Sequence, residues 1–87
     1  MHWVYILRCC DASLYVGHTQ DVEARVCTHN DGRGARFTAA RRPVALVYSE
    51  SFQTDIEAIA RERQLKGWTG RKKDALVAGD RALLKRL

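Results

Sequence analysis

The segment from Trp3 to Cys9 runs Trp3-Val4-Tyr5-Ile6-Leu7-Arg8-Cys9. It is rich in β-branched and aromatic residues and too short for a helix of ordinary length, so it reads as a strand. Asp11-Ala12-Ser13 is a turn signal, and Leu14-Tyr15-Val16-Gly17-His18 reads as the returning strand of a hairpin. Everything after this hairpin has to pair with it or cover it. Gly17 inside a strand marks a bulge or a close backbone approach. Strand register adds a test. If Tyr5 and Tyr15 face one cleft, opposed residue numbers must sum to an even value, which a plain two-residue loop does not allow.

Thr19 or Asp21 can cap a helix that runs to about Asn30, where Asn30-Asp31-Gly32 stops it. Arg33 to Arg42 has no clear period and forms a basic connection, with a short helical turn around Phe37. Pro43 opens a third strand, Val44 to Ser49, with Val44, Leu46 and Tyr48 on one face and Ala45 and Val47 on the other. Thr54-Asp55-Ile56-Glu57 has the pattern of a capping box, so a helix follows to about Trp68. Thr69-Gly70 breaks it. Arg71 to Ala78 is a further short helix, and Gly79 separates a last helical piece, Asp80 to Leu87. The order β-β-α-β-α-α predicts an α/β (α+β) fold: a three-stranded, mainly antiparallel sheet flanked by helices.

Length and composition narrow the function. The 87 residues suit one small domain, and Lys plus Arg number 15 against 10 Asp plus Glu, a formal net charge of +5. Such a balance favours an anionic partner, nucleic acid first. No apolar run approaches the roughly 20 residues of a membrane helix, and the N-terminus lacks the pattern of a secretory signal. The three cysteines, Cys9, Cys10 and Cys27, contain no C-x-x-C pair. They fit neither a disulfide framework nor a structural zinc site, and reduced thiols fit a cytoplasmic protein.

Some helix positions break the amphipathic pattern. Val22, Arg25, Val26 and His29 share one stripe of the first helix. Either Arg25 and His29 sit at its edge and snorkel to water, or they form a cationic pair aimed into a cleft. In the helix after Thr54, Ile56, Ile59 and Ala60 make the main apolar face. Glu62 projects between Ile59 on one side and Ala58 with Leu65 on the other. It is either an edge carboxylate paired with Lys66 at i+4 or a single carboxylate held for a metal ion.

Val4-Tyr5-Ile6, followed by Tyr15-Val16-Gly17, resembles the pair of tripeptides that names the GIY-YIG nuclease superfamily. Arg25 and His29 match its helix arginine and the histidine four residues on, and Glu62 matches its metal-binding glutamate. The strings around Trp3 to Cys9 and Gln64-Leu65-Lys66-Gly67-Trp68 are similar to those of its small stand-alone bacterial members. Val4 replaces the glycine of the first tripeptide and Val16 the isoleucine of the second. Asp74 stands where some members carry an asparagine.

The resemblance implies an endonuclease that hydrolyses phosphodiester bonds in DNA, in repair or recombination, preferring single strands, flaps or ends to a sequence. It implies one Mg²⁺ or Mn²⁺ ion on Glu62, Arg25 clamping the scissile phosphate, and Tyr5 as general base. Tyr15 would orient the water or hydrogen-bond the phosphate. His29 would accept a tyrosine proton or contact the phosphate. Arg33, Arg36, Arg41, Arg42, Arg71, Lys72 and Lys73 are candidates for the nucleic-acid track. Trp68 is expected to pack in the core rather than stack on a base, and His2 and His18 have no assigned role. The alternative is a binding module of the same fold, inactive alone and dependent on a protein partner for substrate recognition.

Overall fold

A computed structural model describes all 87 residues, Met1 to Leu87. Strand β1 is His2–Arg8 and β2 is Leu14–Thr19. Helix α1 (Val22–Asn30) and the single turn α2 (Arg36–Ala39) lead to β3 (Ala45–Phe52). Helices α3 (Asp55–Lys66), α4 (Gly70–Ala78) and α5 (Arg81–Arg86) complete the chain. The sheet is antiparallel with order β2-β1-β3, so β2 is an open edge.

The hairpin loop decides which side chains share a face. Cys9 N–H donates to Ser13 O at 2.9 Å, and Ala12 N–H to Cys9 O at 2.9 Å. That closes a three-residue loop, Cys10-Asp11-Ala12, with Ala12 left-handed at φ 71°. Tyr5 then opposes Gly17 and Leu7 opposes Tyr15, so Tyr5 and Tyr15 lie on the same face. Gly17 marks a close approach rather than a bulge: the ring of Tyr5 crosses directly over it.

Each sheet face has its own core. Val4, Ile6 and Val16 pack against Ala58 and Leu65 of α3, with Trp68, Leu76 and Val77 at the margin. Trp68 is thus part of the packing. Burying a side chain such as Leu65 contributes about 1.5–3 kcal/mol. The opposite face holds Tyr5, Leu7, Cys9 and Val44, beside Tyr15 and Val26.

Caps fix the helix starts. Asp21, not Thr19, caps α1 by accepting from Ala24 N–H. Thr54 accepts from Glu57 N–H and donates to the Glu57 carboxylate at 2.9 Å.

The sequence-based picture changes in two places. β3 extends three residues beyond Ser49, and its alternation is broken: Ile6 opposes Tyr48 while Leu7 opposes Leu46. The extra residue puts Val47 and Tyr48 against the same cluster and Val44 against the other. The inward face of α3 is Ala58 and Leu65, whereas Ile56 is 76% exposed and Ala60 is exposed. The helix presents its smaller residue to the sheet, which lets it lie close to Val4 and Ile6. The turn around Phe37 and the last helical piece are present as α2 and α5, as the sequence predicts.

Candidate active site

On the face formed by Tyr5 and Tyr15, α1 brings in His29, which is 1% exposed. The three rings form a cluster, with centroids 6.5 Å apart for Tyr5 and Tyr15, 5.9 Å for Tyr5 and His29, and 5.1 Å for Tyr15 and His29. Tyr5 Oη lies 2.9 Å from His29 Nε2, and His29 Nδ1 lies 2.7 Å from Thr38 Oγ1. Thr38 donates its own hydroxyl proton to Ala35 O at 3.1 Å, so toward His29 it accepts. That assigns the proton of neutral His29 to Nδ1 and leaves Nε2 as the acceptor of the Tyr5 hydroxyl. The chain of hydrogen bonds therefore points one way, from Tyr5 through His29 to Thr38 and the Ala35 carbonyl.

Two glycines make room for it. A methyl group on Gly17 would stand 2.5 Å from Tyr5 Oη, and one on Gly34 would collide with His29 Nδ1. Gly17→Ala should therefore push Tyr5 off its partner. The expected result is a lower melting temperature, since the buried His29 Nε2 loses its donor at a cost of about 1–3 kcal/mol. A melting curve beside that of the native protein would check it, and an unchanged curve would show that Tyr5 need not stay in place.

Arg25 stands at the exposed rim of α1 and makes no ion pair. Its charge reaches both Tyr5 and His29. Burial, and then Arg25, hold the His29 imidazole below its ordinary value of 6.5. Burial, and then Tyr15, push the Tyr5 phenol well above the ordinary tyrosine range; Glu62 adds to this and Arg25 opposes it. Both groups are neutral near neutrality.

Glu62 approaches from the other face. It follows Ala58 by four residues and precedes Leu65 by three, so it lies on the inward side of α3 and its side chain is 12% exposed. Its Oε1 meets His18 Nδ1 at 2.5 Å and its Oε2 meets Lys66 Nζ at 2.9 Å. The Lys66 pair is the i+4 partner that the helix spacing suggests. Burial works to raise the carboxyl, but hydrogen bonds from Lys66 and then His18 outweigh it and hold Glu62 below its ordinary 4.5. Lys66 also lies 6.0 Å from the centroid of the Tyr15 ring. The two halves of the site thus meet around the open edge of β2.

These shifts predict acid sensitivity. The unfolded chain protonates His29 at 6.5 while the folded one resists, so stability falls as pH drops below 6.5. The Glu62 contribution is present above 4.5 and is lost as pH falls through its lowered folded value. Melting temperatures from about pH 8 to about pH 2 should fall in two stages. A flat profile through the first stage would show that His29 is not held neutral.

Tyr5, Tyr15 and His29 thus share one cluster, with Arg25 at its rim and Glu62 across the edge strand. The proposed nucleic-acid residues divide. Arg33 pairs with Asp31 at 3.0 Å, Arg41 with Asp11 at 3.0 Å, and Arg42 donates to Ala39 O at 3.0 Å. Lys72 lies 4.3 Å from the centroid of the Trp68 ring. Arg36, Arg71 and Lys73 have no ion-pair partner. Asp74 is tied to Arg8 at 2.8 Å.

Sequence reasoning missed His18 and Thr38. His18 shares a strand face with Val16, a polar ring where an apolar residue is expected, and that was a usable signal. Thr38 sits in an aperiodic basic stretch that offers none.

The fold and this cluster define a class. The GIY-YIG catalytic domain matches residues 1–74, and the chain belongs to that family of nucleases. It is 50% identical to a UPF0213 protein of Bacillus pumilus over 76 residues, which is 87% of this chain and 78% of that one. It is 51% identical to a UPF0213 protein of Staphylococcus aureus over 76 residues, 87% of this chain and 93% of that one. The solution structure of the UPF0213 protein BH0048 from Bacillus halodurans superposes with a TM-score of 0.59 at 42% identity, covering 91% of this chain and 84% of that one. That of EF2693 from E. faecalis gives 0.61 at 39% identity, covering 90% and 83%. No helix is long and apolar enough to cross a membrane.

Proposed function

We propose that this chain is a single catalytic domain that hydrolyses phosphodiester bonds in DNA, using a divalent ion at Glu62. The observation that carries the reading is the directed hydrogen-bond chain from Tyr5 to His29 and Thr38, with a free guanidinium at its rim and a carboxylate across the edge strand.

Arg25 binds a phosphate oxygen, since it has no acidic partner to give up and its fork suits phosphate. Tyr5 takes the proton of the attacking water. Because burial holds its phenol protonated, it can do so only as its own proton passes to His29 Nε2. Thr38 keeps that nitrogen free by holding the proton of His29 on Nδ1. Tyr15, half-buried beside His29, orients the water or the phosphate.

Glu62 fits a hard ion. Each oxygen has one N–H partner and retains a further lone pair. No group of three His, Cys, Asp or Glu surrounds it. Glu62 alone would then hold the ion, as Mg²⁺ or Mn²⁺ allows, since these bind through one or two carboxylates and keep several waters. Such an ion supplies charge stabilisation at the phosphate and the leaving oxygen.

The test is cleavage of labelled single-stranded, duplex and flap DNA with Mg²⁺ or Mn²⁺, against EDTA. Ion-dependent cutting is the expected result. Binding without cutting would overturn the catalytic reading and favour a module that depends on a partner.

A further inference from the structure

Two hollows flank the candidate site along the open edge of β2. One, of about 730 Å³, is polar and reaches from His18 and Arg25 to His2 and Gln20. The other, of about 200 Å³, lies at the opposite end of the strand and is lined by Leu14, Tyr15, Val16, Phe37, Lys66 and Lys73. A strand of nucleic acid lying along β2 would pass from one to the other across the site.

The second hollow is aromatic and cationic, with no carboxylate in its lining. Phe37 is 37% exposed, and packing gives no reason to leave so large an apolar ring in water. Yet the ring is held in place. It lies within 28° of parallel to Tyr15, with centroids 6.1 Å apart. The Arg41 guanidinium sits 3.9 Å from its centroid, fixed by Asp11 at 3.0 Å and by the Phe37 carbonyl at 2.9 Å. Arg41 takes one face of the ring, and the part left open, beside Tyr15 and an unpaired lysine, is suited to packing on a flat base with an anion attached. Tyr15 and Lys66 belong to both the hollow and the site, since Tyr15 packs on His29 and Lys66 bonds Glu62.

Resting on the nuclease reading, we infer that this hollow is a nucleobase subsite. It takes one unpaired base of a single DNA strand next to the phosphate at the site, stacked on Phe37, with Lys73 on the adjoining phosphate. Stacking of this kind tolerates any base, because each has a π-face. A base held in a duplex has its faces covered by its neighbours, so the hollow selects single strands and flaps.

Binding in EDTA separates this inference from cleavage. Fluorescence anisotropy would follow a short labelled single strand, and the matching duplex, with native protein, Phe37→Leu, Phe37→Trp and Lys73→Gln. Phe37→Leu keeps an apolar side chain for the fold and should weaken single-strand binding about tenfold. Phe37→Trp should retain it, and duplex binding should change little. Lys73→Gln should lower the salt slope by about 0.7, the value of one phosphate contact on a single strand. A strand lacking one base should bind the native protein more weakly but bind Phe37→Leu no worse than the intact strand does, because the two lesions remove one contact. Equal single-strand binding by native protein and Phe37→Leu overturns the subsite, whether or not the protein cuts. So does loss of self-association in Phe37→Leu, which would assign the hollow to a second copy of the chain. Base-dependent binding through Phe37 in a protein that never cuts with Mg²⁺ or Mn²⁺ would leave the subsite standing and remove the nuclease reading.

Discussion

Tyr5→Phe will lower the rate of DNA cleavage by about 10²- to 10⁴-fold, the range that a positioned general base contributes. The substitution removes one oxygen. The ring remains, buried between Leu7 and the hairpin partner Gly17, so the packing of that face is kept. What is lost is the donor to His29 Nε2, now 2.9 Å away. The imidazole nitrogen is left buried without a partner, which costs about 1–3 kcal/mol of stability. A melting curve will report that cost separately from the kinetics. Binding of Mn²⁺ should be unchanged, because Glu62 and its partners stand on the other sheet face. Cleavage at the native rate would show that Tyr5 does not take the proton of the water and would move that role to Tyr15, the neighbouring phenol.

The hairpin was legible because both strands and their turn are local signals, and so was the helix start at Thr54. The parity of the loop was not, because nothing in Cys10-Asp11-Ala12 announces that a non-glycine residue adopts the left-handed conformation at Ala12. The face of α3 was misread for a related reason. Its wheel offers a stripe through Ile56 and Ile59 and another through Ala58 and Leu65, and the choice is made by the sheet. Val4, Ile6 and Val16 meet the second stripe. That choice also carries Glu62 inward, where a lone carboxylate is costly unless it is paired. Lys66 supplies one pair locally, but His18 arrives from a strand 44 residues away. Contacts of that range leave no periodic trace. Thr38 and Gly34 lie in the same blind region. One fixes the His29 tautomer and the other clears space for the ring, and both roles exist only once α2 has folded back onto α1.

Glu62→Gln is expected to abolish ion-dependent cleavage while leaving the fold close to native. The reason lies in what each oxygen does. The amide oxygen of glutamine can still accept from Lys66, and its NH₂ can donate to His18, so both hydrogen bonds have a replacement. The negative charge has none. No group of three His, Cys, Asp or Glu stands there to hold the ion in its place. A hard divalent ion needs that charge, and neutral amide oxygen with water around it is a poor substitute. Calorimetric titration with Mn²⁺ should show binding to the native protein and to Tyr5→Phe, and none to Glu62→Gln. Single-strand binding in EDTA should persist in all three proteins, because Arg25, Phe37 and Lys73 are untouched. Stability should respond to pH differently as well. The second acid stage, which begins near 4.5 in the native protein, should shrink in Glu62→Gln to the part that Asp11 supplies, while the His29 stage remains. If Glu62→Gln cuts DNA at the native rate with Mg²⁺, the carboxylate is a structural ion pair for Lys66 and His18, and the ion has to be sought elsewhere on the surface.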